Sequence, residues 1–132
     1  NCKWLSEIYH DNPAWVNPET AAARGIAHGD LIRVVSEIGE ITTKARVTPA
    51  VVPGVIGISN HCGHWMYGRY ASGNATPDDL RSDIEDRDAH RIWWKDDHGA
   101  HPNWLIPNKA DPIGGEQRWN DTVVTVEKVA AA

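Results

Sequence analysis

Phenylalanine is absent from these 132 residues and methionine occurs once. No apolar run nears the roughly 20 residues that a membrane-spanning helix needs, so nothing reads as a bilayer span. Cysteine occurs only at Cys2 and Cys62. Two are too few for a disulfide framework, although a single bridge stays open. Positive charge is scarce as well. Thirteen basic residues stand against 18 acidic ones, a formal net of -5. That balance argues against a nucleic-acid partner held by bulk positive charge. The G-x-G-x-x-G, G-x-x-x-x-G-K and G-x-S-x-G signatures of nucleotide folds and hydrolases are missing too. The chain starts at Asn1 rather than Met, the expectation for a processed chain or a piece of a longer one.

What is present fits one globular domain. The length suffices for a proper core without staples, and 41% of residues are hydrophobic, too many for a disordered chain. Aromatic usage is lopsided, with seven Trp and three Tyr. Both carry a flat apolar face and a polar handle, which suits contact with a planar, partly polar partner as well as a β-core.

The first 60 residues are the most readable. Asn17-Pro18-Glu19 opens a short helix: Asn17 can accept from a free first-turn amide, and Pro18 loses nothing by lacking an N–H. Gly25 can take the left-handed conformation that stops it. Leu31 to Val35 reads as a strand and Ser36 to Gly39 as a turn. Glu40 to Thr48 alternates, with Ile41, Thr43, Ala45 and Val47 on one face. Pro53-Gly54 is a turn before the short strand Val55 to Ile58. The unit is β-rich with connections too short for parallel crossovers through full helices. Residues 75–101 hold eight acidic and four basic residues, a solvated insertion on the usual loop-length priors. Thr122 to Val126 is the terminal strand.

The candidates for chemistry are few. His61, Cys62 and His64 are zinc-type ligands, as are His98 and His101, but neither group has knuckle or helical ligand spacing. Cys62 and His64 share a face if extended, yet no third group orients them as nucleophile and base. The carboxylates from Asp78 to Asp88 sit among turn formers and alternate with Arg81 and Arg87, a charge-rich loop rather than a hydrolytic pair. More informative are the loops rich in neutral polar groups: Ser59 to Trp65, Asn103 to Asn108, and Asp111 to Gln117. Asn and Gln offer a donor and an acceptor together, matching the edge of a purine or pterin. Glycines let backbone N–H groups approach phosphate.

At these residues a resemblance appears. Pro13, Asn17 and Ala22, then Gly25-Ile26-Ala27-His28-Gly29-Asp30-Leu31-Ile32-Arg33-Val34, resemble the "GD box" region of a double-psi β-barrel. Gly39, the alternating strand and Val52-Pro53-Gly54-Val55-Ile56 continue it. Gly63-His64, Asn103-Trp104-Leu105-Ile106-Pro107, Asp111-Pro112-Ile113-Gly114-Gly115 and the last strand complete it. Together they resemble the C-terminal molybdopterin-dinucleotide-binding domain of the dimethyl sulfoxide reductase family. The polysulfide, thiosulfate, tetrathionate, arsenate and sulfite branches look nearest. The resemblance implies a mainly β fold, a six-stranded double-psi barrel with one or two short helices. It spans residues 1–132, lacks its first strand, and carries a polar insertion at about 66–101. An open edge of that kind predicts poor stability alone unless another chain supplies the strand.

The resemblance also implies a cofactor, two molybdopterin guanine dinucleotides holding molybdenum or tungsten, with the metal held by the rest of the enzyme. Asn103 would meet a pterin or guanine edge. His64 and His61 would bond pterin or phosphate, Gln117 and Arg118 would face the cofactor, and Asn1 would belong to the first cofactor loop. Plainer roles compete: a turn for Asn103, ordinary loop positions for both histidines, solvent for Gln117, and packing for Trp65, Trp104 and Trp119. No residue of this chain is expected to be catalytic or to ligate the metal. Expected partners are the remaining domains or catalytic chain, an iron–sulfur subunit and a membrane-anchor subunit, in a prokaryotic periplasm or at the cytoplasmic face of the membrane. Two other readings remain: a freestanding dinucleotide-binding subunit like that of formylmethanofuran dehydrogenases, and a double-psi recognition domain without molybdenum.

Overall fold

The computed structural model describes residues 8–9, 11–60, 100–117 and 119–130. They fall into two compact units, 1–12 with 61–100, and 13–60 with 101–132. Of the first, few residues are described; in it, buried Asn12 donates from Nδ2 to the carbonyl of Ala100 at 3.1 Å. The second unit carries the sheet. Asn1, Cys2, His61, Cys62, His64, His98, Arg118 and nearly all of the acidic insertion lie outside the described residues.

Among the described residues of the second unit are five strands, one short helix and one 3-10 turn. They are β1 (Ala14–Val16), α1 (Pro18–Ala23), β2 (Leu31–Val35), β3 (Glu40–Val47), β4 (Ile56–Gly57), the 3-10 turn Pro102–Trp104, and β5 (Thr125–Lys128). The sheet order is β4-β1-β3-β2-β5. β3 serves two neighbours. Glu40 to Lys44 pair antiparallel with β2, while Ala45 to Val47 pair parallel with β1. This parallel pair differs from the sequence expectation. Its connection is not a full crossover helix but α1 followed by β2, which together are long enough to bring the chain back alongside.

Alternation fixes the core. β3 buries Ile41, Thr43 and Ala45 in step, and β2 buries Ile32 and Val34 between exposed neighbours. Val16 and Ala14 of β1 and Val126 of β5 complete the apolar layer. β1 escaped the sequence reading because three residues are too few for a period to register. The last strand begins at Thr125 rather than Thr122 because its register is set against β2: Val35 pairs with Thr125 and Ile32 with Lys128.

The start of α1 follows its sequence. Asn17 accepts from the Glu19 amide at 2.9 Å and uses its own amide nitrogen to reach the Val51 carbonyl at 2.7 Å. One side chain thus caps the helix, worth about 1 kcal/mol for a typical cap, and ties it to the loop before β4. Thr20 adds a second tie, its hydroxyl oxygen accepting from the Gly54 amide at 2.8 Å. At the other end Gly25 takes φ +63°, the conformation the sequence calls for.

The turn before β2 is locked by one carboxylate. Asp30 accepts from the Ala27 amide and from Lys128 Nζ, both at 2.7 Å, joining this turn to β5. Its backbone continues the lattice, for Ala45 donates to the Asp30 carbonyl and Gly29 to the Ala45 carbonyl, each at 2.8 Å. Lys128 first, then the Ala27 amide, hold the Asp30 carboxyl below its ordinary value. A depressed carboxylate stabilises the fold above its unfolded value of about 3.9 and loses that contribution as pH falls through the folded-state value. Asp30→Asn is therefore expected to lower the thermal midpoint at neutral pH. The gap from wild type should close in acid, as read from melts across pH; a gap independent of pH contradicts the linkage.

Gly39, at the β2–β3 turn, has a different duty. A methyl group there would stand 2.5 Å from the carbonyl oxygen of Trp104, so only glycine lets the 3-10 turn lie against the hairpin. Gly39→Ala is expected to cost about 1–3 kcal/mol by overpacking, measured by denaturant unfolding. An unchanged midpoint would show that the turn gives way freely.

Candidate functional site

Two adjoining cavities open on the second unit, and the segment from Asp121 to Val124 lines both. The larger, about 650 Å³, lies among α1, the β4 region, the 3-10 turn and the approach to β5. That size is ordinary for a small-molecule or cofactor site. Its apolar lining includes Val34, Ile56, Leu105, Ile106 and Val126, and its polar lining includes Asn60, Asn120 and Thr122. Trp119 also lines it and is half exposed. Charge is sparse: Arg24 and Asp121 are the ionisable side chains among its described lining. Arg24 donates from Nη1 to the Val126 carbonyl at 3.0 Å, so part of its guanidinium is spent on the edge of β5.

The smaller cavity, about 420 Å³, is lined by Val35, Pro107, Lys109 and Thr125 besides the shared segment. The ion pair of Lys109 with Glu37 lies in its wall. The pair is exposed on both sides, and such pairs contribute about 0–1 kcal/mol.

Thr122 lies in the wall common to both cavities. Its Oγ1 is shut off from solvent and has no hydrogen-bond partner among the described residues, although the residue as a whole is only half-buried. Leaving a hydroxyl buried and unpaired costs about 1–3 kcal/mol. A ligand that bonds it recovers that cost.

The two described residues picked out from sequence sit close to this region without lining either cavity. Asn103 is the middle residue of the 3-10 turn and is exposed; its neighbours Pro102 and Leu105 line the larger cavity. The turn is held by the Leu105 amide donating to Pro102 at 2.9 Å, and an edge-on contact joins His101 and Trp104. Gln117 is exposed and donates from Nε2 to the Pro107 carbonyl at 3.3 Å. It also pairs with Ala110 in an isolated antiparallel bridge. That bridge closes the loop of Asp111 to Gly115, where the Asp111 carboxylate accepts from the Gly114 amide and Gly115 takes φ +74°. Asn1, His61, His64 and Arg118 cannot be placed beside them, since they lie outside the described residues.

The sequence reading missed Asn120 and Thr122 as lining residues; Asn60 lay within the loop Ser59 to Trp65 that it picked out, and Trp119 was weighed as a packing residue. A signal existed: Trp119-Asn120-Asp121-Thr122 has the same mix of aromatic and neutral polar groups as the loops that were chosen. Assigning Thr122 to a strand hid it.

Comparison with known proteins supplies the family. The family model described as the Molydopterin dinucleotide binding domain matches residues 1–123. Dimethyl sulfoxide reductase DmsA of Haemophilus influenzae is 39% identical over 115 residues, which is 87% of this chain and 11% of that protein. The arsenate respiratory reductase molybdopterin-containing subunit ArrA of Shewanella sp. strain ANA-3 is 36% identical over 126 residues, 93% of this chain and 12% of that one. This chain thus spans about a tenth of the length of these curated relatives. Among solved structures, the acetylene hydratase of Pelobacter acetylenicus superposes with a TM-score of 0.64 at 19% identity, covering 95% of this chain and 15% of that one. That likeness confirms a mainly β domain with a curled sheet and few helices. The match across nearly the whole sequence places this chain in the family of molybdopterin-dinucleotide-binding domains.

Proposed function

We propose that this chain is the C-terminal cap of a molybdenum or tungsten oxidoreductase that acts on a sulfur or arsenic compound. The observation that carries the proposal is the family match over residues 1–123, on a unit whose loops set neutral hydrogen-bonding groups around an apolar cavity. The relatives' names supply the substrate class. The fold would be a six-stranded double-psi barrel, with the five described strands completed by a strand from outside them. The polar insertion at about 66–101 would be an excursion from it. Partners would be the remaining domains of the enzyme, an iron–sulfur subunit and a membrane-anchor subunit.

The described residues fit the group by chemistry. A pterin or guanine presents a flat face and a polar edge, and the larger cavity offers apolar walls with Asn60, Asn120 and Thr122 among its polar lining. Beside the cavity the Thr122 hydroxyl is buried without a partner among the described residues, a spare donor and acceptor in its wall. When bound, the molybdenum and its dithiolene sulfurs supply the redox chemistry. The chain's own residues bind, orient and keep water out. Asn103, from the 3-10 turn, and Gln117, whose Nε2 already bonds Pro107, would add amide contacts at the rim. His61, His64, Arg118 and Asn1 belong to the same proposed set. Neutral donors serve here because they fix orientation without imposing a full charge on the cofactor.

In the complete enzyme, Asn103→Ala is expected to lower bound molybdenum and pterin several-fold while leaving the unfolding midpoint of the apoprotein unchanged, because Asn103 is exposed. Elemental analysis and the fluorescence of released pterin report the outcome. Full cofactor content in the variant removes Asn103 from the site. Absence of molybdenum, tungsten and pterin from the wild-type enzyme overturns the function itself.

A further inference from the structure

Thr122 is the one described residue that lines both cavities and holds a buried hydroxyl without a partner among the described residues. Because the residue is half-buried while its Oγ1 is closed off, the part of it that meets the cavities is not the hydroxyl. One staggered step about χ1 is the natural motion that exchanges the two. We infer that Thr122 positions the cofactor: its hydroxyl turns into the larger cavity when the cofactor enters and hydrogen-bonds the pyrimidine edge of its pterin or guanine ring.

The described lining of the larger cavity holds one cation and one anion, Arg24 and Asp121, so it offers a phosphate no cluster of positive charge. Asp121 precedes Thr122 and lines the same cavity, which disfavours an anion at this point and favours N–H donors. Arg24, whose Nη1 bonds the Val126 carbonyl, balances that charge, so neutral groups are left to set the recognition. Asn120 lines the cavity as well and carries the donor and acceptor that a pyrimidine edge can match. Trp119 gives the segment an aromatic face. The larger cavity is favoured over the smaller, whose wall is tied by the Lys109–Glu37 pair. The inference rests on the cofactor reading above, and its test separates the two.

The test compares Thr122→Val and Thr122→Ser with wild type in the complete enzyme. Valine keeps the shape and removes the hydroxyl; serine keeps the hydroxyl. Three quantities are read: pterin content by fluorescence after release, affinity of the cofactor-free enzyme for GMP, and the thermal midpoint of that cofactor-free enzyme. Thr122→Val should hold or raise the midpoint, because it deletes an unpaired hydroxyl. It should also weaken binding about tenfold, the loss of one hydrogen bond, and Thr122→Ser should restore it. Weakened GMP binding puts the contact at the guanine end; pterin loss with unchanged GMP affinity puts it at the pterin end. Wild-type pterin content and GMP affinity in Thr122→Val overturn the inference, as does a lowered midpoint with binding intact, which would make the hydroxyl structural. A wild-type enzyme that holds no pterin overturns the cofactor reading instead, and this inference with it.

Discussion

One strand answers to two neighbours, and the rest of the unit follows from that. β3 runs from Glu40 to Val47, bonded to β2 along its first part and to β1 along its last. The junction falls at Lys44 and Ala45, where the backbone of Gly29 and Asp30 also attaches to Ala45. β3 thus joins the two halves of the sheet, and β4 and β5, its two edges, both contribute to the lining of one cavity. Asp30 secures the arrangement from the side by bonding Lys128 of β5 as well as its own turn. Gly39 secures it from the end, since any side chain there would strike Trp104.

The balance of charge and neutral polarity matters for what such a unit can hold. The chain is acidic overall, and Arg33 forms exposed ion pairs with Glu127 and Glu40 on the sheet surface. Those pairs neither line the cavities nor contribute much to stability in water. Around the larger cavity the described groups are amides, hydroxyls and aromatic or aliphatic walls, with one cation and one anion, Arg24 and Asp121, among them. A binding site of this sort recognises shape and edge pattern rather than net charge. It suits a protein whose part is to hold and orient a cofactor that brings its own reactivity.

Much of the scaffold was legible in the amino-acid order because each signal was local. Asn17, Pro18 and Gly25 mark the ends of α1, and the alternation of Ile41, Thr43 and Ala45 marks the buried face of β3. The parallel pairing of β1 with β3 was not legible, because a three-residue strand has no period and its partner lies some 30 residues away (Ala14 opposite Ala45). The rim residues Asn103 and Gln117 stood out by residue type and loop context. Asn120 and Thr122 did not, because a threonine before two valines has the composition of a strand. Their place in a cavity wall depends on tertiary packing, which brings Leu105, Ile56 and Val126 to the same space. Loop chemistry reads from sequence; the far side of a cavity does not.

The most direct test of the central claim is an experimental structure of the complete enzyme with its cofactor bound. The account predicts a pterin or guanine ring in the cavity bounded by Trp119 to Thr122, with its polar edge within hydrogen-bonding distance of that segment. A cofactor found only elsewhere in the enzyme, with this cavity filled by protein side chains, would contradict it.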